Sequence, residues 1–338
     1  MEFILFCHTC FKSSINLTPV LLSPLSNTAR IFYLSICRHW NKYPILQHNL
    51  SALIQSSTIQ LLRFPFSFFL MPVYWFALSQ SNDINKPHAI LIFIILHLLV
   101  YPASNGYNSY MDRDTESIGG IKNPMLPTTQ LFYASLILDA IAIVLSSIIS
   151  LYFVLGIVAY ILASRAYSFR GIRLKQYPVI GYLTVIFFQG AVTFFLVMHG
   201  SSNDKSLTVP VFAMIAASLL IGGFYPLTQI YQHQQDKADG VTTLSLLLGY
   251  KGTFIFTGIM YFFAVTTLAY QLISTLQQTS FFIIQIFFIP VLVYFFWWFK
   301  QVALKHTAAN FVNTMRMTVL ASVCTNAAFI TLFLIEKL

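Results

Sequence analysis

The chain has 338 residues, of which 57% are hydrophobic and only 9% charged. A soluble domain carries about a quarter charged residues, so a water-soluble globule of this size is excluded, and a mean hydropathy of +0.73 agrees. In a membrane protein the formal net charge of +9 is a topology signal, read from where Lys and Arg sit. It is not a nucleic-acid footprint.

Residues 1–57 are expected to be a poorly ordered N-terminal extension that takes no part in chemistry. No run there reaches spanning length and no small-residue cleavage site follows Met1 to Cys10. Few acids and several Ser residues faintly resemble a transit peptide, but the segment is not Arg-rich. An interfacial anchor and an early start codon are the competing readings. Cys7, Cys10 and Cys37 fall here and Cys324 in an apolar run, too uneven for a disulfide framework. The Cys7–Cys10 pair has no second pair to complete a metal site.

Residues 58–338 read as an all-α, polytopic domain around a central cavity. A helix needs roughly 20 apolar residues to cross about 30 Å of hydrocarbon. That length predicts nine spans, near 63–80, 88–110, 131–148, 150–167, 178–199, 208–230, 252–274, 280–299 and 309–335. The third and fourth are parted only by the weak break Ser146 to Ser150. With the N-terminus cytoplasmic, that side receives Lys12, Arg30, Arg38, Lys42, Arg63, Arg113, Lys122, Arg165, Arg170, Arg173, Lys175, Lys237, Lys251, Lys300 and Lys305. The other side receives only Lys86, Lys205 and Lys337. This bias supports both the helix count and the orientation. For a prokaryotic chain the membrane would be the cytoplasmic (plasma) membrane.

Five of the ten acidic residues lie in two stretches. One is Asn105-Gly-Tyr-Asn108-Ser-Tyr-Met-Asp112-Arg113-Asp114-Thr-Glu116, at the inner end of the second span. The other is Tyr231-Gln232-His-Gln-Gln-Asp236-Lys237-Ala-Asp239-Gly240, at the inner end of the sixth. Asn108, Asp112 and Glu116 recur every four residues, so on a continuing helix they share a face. Gln232 and Asp236 repeat that spacing. Oxygen ligands so placed suit Mg²⁺, which bridges carboxylates to substrate phosphates. The bland alternative for each stretch alone is a set of solvated loop charges. A third stretch, Tyr167-Ser-Phe-Arg170-Gly-Ile-Arg173-Leu-Lys175, adds basic groups on the same side. With Arg165 these can hold a diphosphate, or be the ordinary positive-inside signal.

These motifs resemble the UbiA superfamily of intramembrane prenyltransferases. Its first motif, NDxxDxxxD, is similar to Asn108-Ser-Tyr-Met-Asp112-Arg-Asp-Thr-Glu116. Its second, DxxxD with a following Gly and Thr-Leu pair, is similar to Gln232 to Asp236, then Gly240, Thr243-Leu244 and Gly249. Tyr167-Ser168 to Arg173-Leu-Lys175 is similar to the family's basic loop, and Arg63-Phe-Pro65 to its opening segment. The likeness covers about residues 58 to 336. Ser109 and Gln232 stand where the family usually has Asp, Glu116 replaces a last Asp, and Asn123-Pro124 replaces Arg-Pro. This marks a divergent member.

The resemblance implies transfer of an isoprenoid group from a prenyl diphosphate to an electron-rich, aromatic acceptor, with Mg²⁺ as cofactor and membrane lipid around the protein. It implies that Asn108, Asp112, Glu116, Gln232 and Asp236 bind metal, with Asp239 assisting. Arg173 and Lys175 would grip the diphosphate, with Arg113 and Lys237 as adjacent candidates. Asp112 or Asp114 can influence acceptor deprotonation. The 33 Phe, 18 Tyr and 4 Trp are enough to line a cavity that shields an allylic cation. Asp139, at mid-depth of the third span, needs a partner; Arg316 is the candidate, unless it snorkels. His97 and His199 read as packed or interfacial. Two other classes stay open: a non-catalytic isoprenoid- or lipid-binding relative, suggested by Gln232, and a small transporter, against which the absence of a convincing repeat counts.

Overall fold

The computed structural model describes residues 55–337. Residues 1–54, nearly all of the expected extension with the Cys7–Cys10 pair, and residue 338 lie outside that description.

The chain enters through α1 (Ser56–Leu62), a 3₁₀ segment (Phe64–Phe69) and α2 (Met71–Gln80). This pair is bent by 40°. Arg63 sits between the first two segments in the left-handed region, with φ 50°, and Pro65 and Pro72 each open a new helical segment, where a missing N–H costs nothing. Next comes α3 (Lys86–Asp112), capped by Asn85, whose side chain accepts from the His88 amide at 3.0 Å. A π turn (Ile94–Val100) precedes Pro102. Proline cannot bond the carbonyl four residues back and its ring crowds it, and a widened turn relieves both problems.

The weak break between the third and fourth predicted spans is real and is built from serines. α4 (Thr129–Ser146) ends where Ser146 Oγ donates to the Ala142 carbonyl and Ser147 Oγ to the Val144 carbonyl, both at 2.6 Å. α5 (Leu151–Ser168) starts where Ser150 Oγ accepts from the Phe153 amide at 3.0 Å. Hydroxyls thus close both helix ends without Gly or Pro.

Then follow α6 (Pro178–Ser201), α7 (Val211–Ala238), α8 (Leu244–Ser274), α9 (Gln278–Leu304) and α10 (Phe311–Lys337). α8 breaks its helical path at Gly249, φ 67° and ψ −179°, a conformation open to Gly alone. Thr253 Oγ1 donates to the Gly249 carbonyl there at 2.7 Å. Among the described residues, eight helices are long and apolar enough to cross a membrane, and nine when the bent α1–α2 pair is counted as one span. These match the nine predicted spans.

The main core lies between α2, α3, α5, α6 and α10. Phe76 stacks on Phe329 at 4.6 Å and meets Phe194 at 5.3 Å. His97 is packed here, against Tyr74, Phe93 and Tyr101, with Nδ1 3.2 Å from the Ser67 carbonyl. His199 bridges Ser150 Oγ at 2.7 Å and the Ser206 carbonyl at 3.0 Å. Neither is placed as a ligand. Outward faces carry exposed Val144, Leu155, Phe262, Ile286 and Val293, a surface suited to lipid tails and not to water.

Candidate active site

Alternating helix directions bring the ends of α3, α5 and α7 and the loops after them to one end of the bundle. There they surround a cavity of about 240 Å³ whose wall includes Asp112, Asp114, Asp236, Asp239, Lys175 and Arg63. The two acidic stretches, 120 residues apart in sequence, therefore face one space.

Asp112 is the most enclosed acid of the cavity wall, 8% exposed. Its Oδ2 accepts from Lys175 Nζ at 2.5 Å and from Asn108 Nδ2 at 2.9 Å. Asn108 also donates to Ser168 Oγ at 3.0 Å, tying α3 to the end of α5. Asp112 Oδ1 is buried without a hydrogen-bond partner, 3.9 Å from the Arg173 guanidinium. Arg173 itself pairs with the Asp239 carboxylate and donates to its carbonyl at 3.3 Å. Arg173 adopts the left-handed region, φ 48°, and the short 3₁₀ turn Leu174–Gln176 then carries Lys175 back over α3.

Glu116, expected beside Asn108 and Asp112, is placed apart from them. α3 stops at Asp112 because Arg113 turns into the left-handed region, φ 55°, so the four-residue spacing does not continue past it. Arg170 holds that end, donating to the Met111 carbonyl at 2.8 Å and to that of Asp112 at 3.4 Å. Basic groups at a helix C-terminus satisfy its last carbonyls and its dipole. Glu116 is left exposed and outside the cavity wall. Asp114 faces the cavity instead, accepting from Gln235 Nε2 at 2.6 Å. Burial pushes the Asp114 carboxyl up to about 6, with the Asp112 charge adding to the shift. Nothing in the spacing marked Asp114 as the inward acid, since only the untypical helix end turns it in.

Arg113 and Lys237 are not brought into the site either. Both are exposed, and Arg113 lies over the Tyr110 ring at 5.8 Å. From the second stretch, Asp236 Oδ2 accepts from Thr243 Oγ1 at 3.1 Å, and Gln232 donates to the Ser117 carbonyl at 3.3 Å. Gln232 thereby tethers the loop that carries Asp114. Arg63 is buried, with its guanidinium bound to the carbonyls of Gly119 at 3.3 Å and Asn105 at 3.2 Å. It locks α1 to α3 and to the same loop.

Asp139 also has a different partner from the expected Arg316. It pairs with Arg165, whose guanidinium lies 4.0 Å from the centre of the Tyr107 ring and donates to the Ala103 carbonyl at 3.4 Å. Arg316 is exposed, and Asp139 is not its partner. The four bases of the α5–α6 region thus divide by contact. Arg165 joins α4 to α3, Arg170 closes α3, and Arg173 and Lys175 reach the acids.

Among the described residues, no three His, Cys, Asp or Glu side chains gather as a ready-made metal site. Mg²⁺ does not require one, because it keeps several waters and binds through one or two carboxylates plus substrate phosphates. The all-oxygen donor set, the unpartnered Asp112 Oδ1 and the raised Asp114 carboxyl fit such an ion.

Deeper, the wall turns to tyrosines and apolar side chains. Tyr167 and Tyr225 share a hydrogen bond between their hydroxyls, and Gln229 Nε2 donates to Tyr225 at 2.9 Å. Tyr160, Val185 and Phe188 lie beyond.

Comparison with known proteins follows the same lines. A UbiA homolog from Aeropyrum pernix K1, solved in its apo form, superposes with a TM-score of 0.61 at 18% identity, covering 80% of this chain and 98% of that one. A UbiA homolog from Archaeoglobus fulgidus bound to DMAPP and Mg²⁺ gives 0.58 at 17% identity, covering 83% and 100%. A digeranylgeranylglyceryl phosphate synthase gives 0.51 at 18%, covering 81% and 98%. Identities this low establish the shared fold. No curated protein sequence matches the chain. The model of the UbiA prenyltransferase family, however, matches residues 69–320, most of the described bundle. The chain is an integral, multi-pass membrane protein and belongs to the UbiA prenyltransferase family.

Proposed function

We propose that this protein is a membrane-embedded prenyltransferase, moving an isoprenoid group from a prenyl diphosphate to an electron-rich, aromatic acceptor. The observation that carries this reading is one cavity with two chemistries. Four aspartates and Lys175 ring its mouth, and tyrosine and phenylalanine faces line its depth. The Archaeoglobus homolog holds DMAPP or GPP together with Mg²⁺, ligands that match those two zones.

Asn108, Asp112, Asp114 and Asp236 would hold Mg²⁺, directly or through its water, with Gln232 and Asp239 beside them. Bound there, Mg²⁺ would offset the charge that develops on the departing diphosphate. Lys175 and Arg173 are held by Asp112 and Asp239 at rest. A diphosphate at the mouth takes both bases, which then stabilise its charge as the allylic C–O bond breaks. The rings of Tyr167 and Tyr225, nearest the mouth among the aromatic wall residues, would present π faces to the allylic cation and exclude water from it. By the distribution of Lys and Arg, this end of the bundle faces the cytoplasm.

The test is diphosphate release by purified protein in nanodiscs, with donors from geranyl to geranylgeranyl and longer, with and without Mg²⁺, beside Asp112→Ala. The expected result is Mg²⁺-dependent release that the variant loses. No release from any donor, with or without candidate acceptors, would sink the catalytic reading. Gln232 in place of an acid would then mark a non-catalytic isoprenoid-binding relative.

A further inference from the structure

On α7 the two chemistries of the cavity meet at one side chain. Residues Ile230–Gln232 of this helix form a 3₁₀ turn, in which side chains three apart lie one above the other. Gln229, just before that turn, therefore sits in line with Gln232 and about one turn of helix from Tyr225. It lines the cavity between the aspartates of the mouth and the tyrosines below them.

The hydrogen bonds around Gln229 are incomplete. The residue is 9% exposed. Its Nε2 donates to the Tyr225 hydroxyl at 2.9 Å, which fixes the amide, and its Oε1 is buried without a partner. The Tyr225 hydroxyl is bonded in turn to that of Tyr167, and among the described residues the two hydroxyls have no further partner. One bond between two hydroxyls uses one of their two protons. Whichever tyrosine donates, one hydroxyl proton stays unengaged near the unengaged Gln229 carbonyl. The pair matches a group that both donates and accepts, which is what a hydroxyl does. A phosphate offers only acceptors and a metal ion accepts no proton, so neither completes both halves.

We infer that Gln229 and the Tyr167–Tyr225 pair form a subsite that reads a free hydroxyl on the prenyl acceptor. The inference rests on the prenyltransferase reading above. A phenol placed there donates its O–H to the Gln229 carbonyl and accepts the tyrosine proton at its oxygen. The methyl ether of the same phenol keeps only the second contact and leaves the buried carbonyl unpaired, and a site built to bond a substrate hydroxyl discriminates most strongly against the analogue that lacks it. The subsite also suits the reaction. The rings of these two tyrosines would face the allylic cation, so a hydroxyl held at their edges brings the acceptor ring beside the carbon it is to bond.

The experiment measures equilibrium binding to the full chain in nanodiscs with Mg²⁺ and geranyl thiolodiphosphate, a donor analogue that resists turnover, already bound. Two matched pairs serve as acceptor probes: 2-naphthol with 2-methoxynaphthalene, and 4-propylphenol with 4-propylanisole. Empty nanodiscs correct for partition into lipid. Wild type is expected to bind each phenol about tenfold more tightly than its ether, the difference made by one hydrogen bond to a buried group that is otherwise unpaired. Gln229→Met should abolish that preference and Gln229→Glu, which keeps an accepting oxygen, should restore it, with thermal unfolding as the check that each variant is folded. Equal binding of phenol and ether by wild type, or binding of neither, overturns the inference while the bound donor leaves the prenyltransferase reading standing. A preference that persists in folded Gln229→Met overturns it too, and a loss of Mg²⁺ affinity in that same variant would make Gln229 a metal-side oxygen instead. Should the donor analogue itself fail to bind with Mg²⁺, the donor reading falls and the subsite's role falls with it.

Discussion

At the end of the bundle away from the cavity, Glu336 accepts from Gln277 Nε2 and Ser280 Oγ, both at 2.8 Å. Lys205 Nζ there donates to the carbonyls of Gly200 at 2.6 Å and Ser202 at 2.9 Å and meets His88 Nδ1 at 2.5 Å. None of these side chains leaves a buried polar atom without a partner. The cavity end is built differently. Asp112 Oδ1, Arg173 Nε, Arg63 Nε and Gln235 Oε1 are all buried and unpartnered, although charges of both signs surround them. A buried polar group left unpaired costs about 1–3 kcal/mol; elsewhere such atoms stand singly, as Trp75 Nε1 against Phe333 does, and at the cavity end they gather among charges, where a ligand would meet several at once. Backbone strain does not separate the two ends, since left-handed residues occur at both (Arg63, Arg113 and Arg173; Lys205 and Leu276). Unsatisfied chemistry does.

The sharpest way to break that comparison is to cut one ion pair of each kind. Asp139 and Arg165 are closed off at membrane depth, 8% and 15% exposed as side chains. Arg165→Leu strands a buried carboxylate and is expected to cost about 3–5 kcal/mol of stability, read as thermal unfolding in nanodiscs. Arg165→Leu with Asp139→Leu should recover most of that loss. Lys175→Met removes a partner that substrate is meant to borrow. Donor affinity should fall about 10- to 100-fold, as for a lost charge-assisted hydrogen bond. Mg²⁺ alone should bind this variant more tightly than wild type, because Asp112 is no longer neutralised at rest. If Lys175→Met lowers Mg²⁺ and donor binding alike, the exchange of partners is wrong.

How far the sequence reached is clear from these same residues. Nine spans were readable because hydrophobic length and the Lys/Arg bias are properties of whole segments, and averaging protects them from local error. That the two acidic stretches lie on one side of the membrane followed from that parity; that they line one cavity is visible only in the structure. What was hidden depends on single backbone turns. α3 stops at Asp112 without Gly or Pro at the stop, so the repeat Asn108, Asp112, Glu116 ran past a real helix end, and Asp114, named only for acceptor deprotonation, was not placed with the metal-binding oxygens. The α5–α6 bases look alike as letters, yet tertiary contacts give Arg165 and Arg170 to the fold and Arg173 and Lys175 to the site. Asp139 was expected to need a partner, but choosing Arg165 over Arg316 requires the α4–α5 packing.

A smaller effect comes from pH. Asp114 titrates near 6 in the folded chain against a usual value of 3.8. Between about pH 4 and 6 the unfolded chain has lost this proton while the folded chain keeps it. Asp114 therefore makes the metal-free protein less stable as pH rises through that window, with no further change above it. Metal needs the ionised form, so Mg²⁺-dependent donor binding should weaken about tenfold from pH 7.5 to 5, by one proton's competition. Asp114→Asn should flatten that profile. An unflattened profile would move the titration to another acid at the mouth.

The smallest expected effect sharpens the comparison most, because Gln232→Asp acts on both kinds of chemistry at once. It adds a carboxylate at a mouth that already seeks cations, which raises divalent affinity as ligand charge does in other oxygen sites. It also removes the amide that donates to the Ser117 carbonyl at 3.3 Å, a tether worth about 0.5–1.5 kcal/mol that holds the loop carrying Asp114. A divalent ion interacts with the new charge more strongly than that long hydrogen bond holds the loop. The net expectation is a gain of roughly three- to fivefold in Mg²⁺ affinity, measured by titration in nanodiscs. A loss of affinity instead would show that Gln232 serves the site as a loop anchor, and that the acidic mouth is already complete with four aspartates.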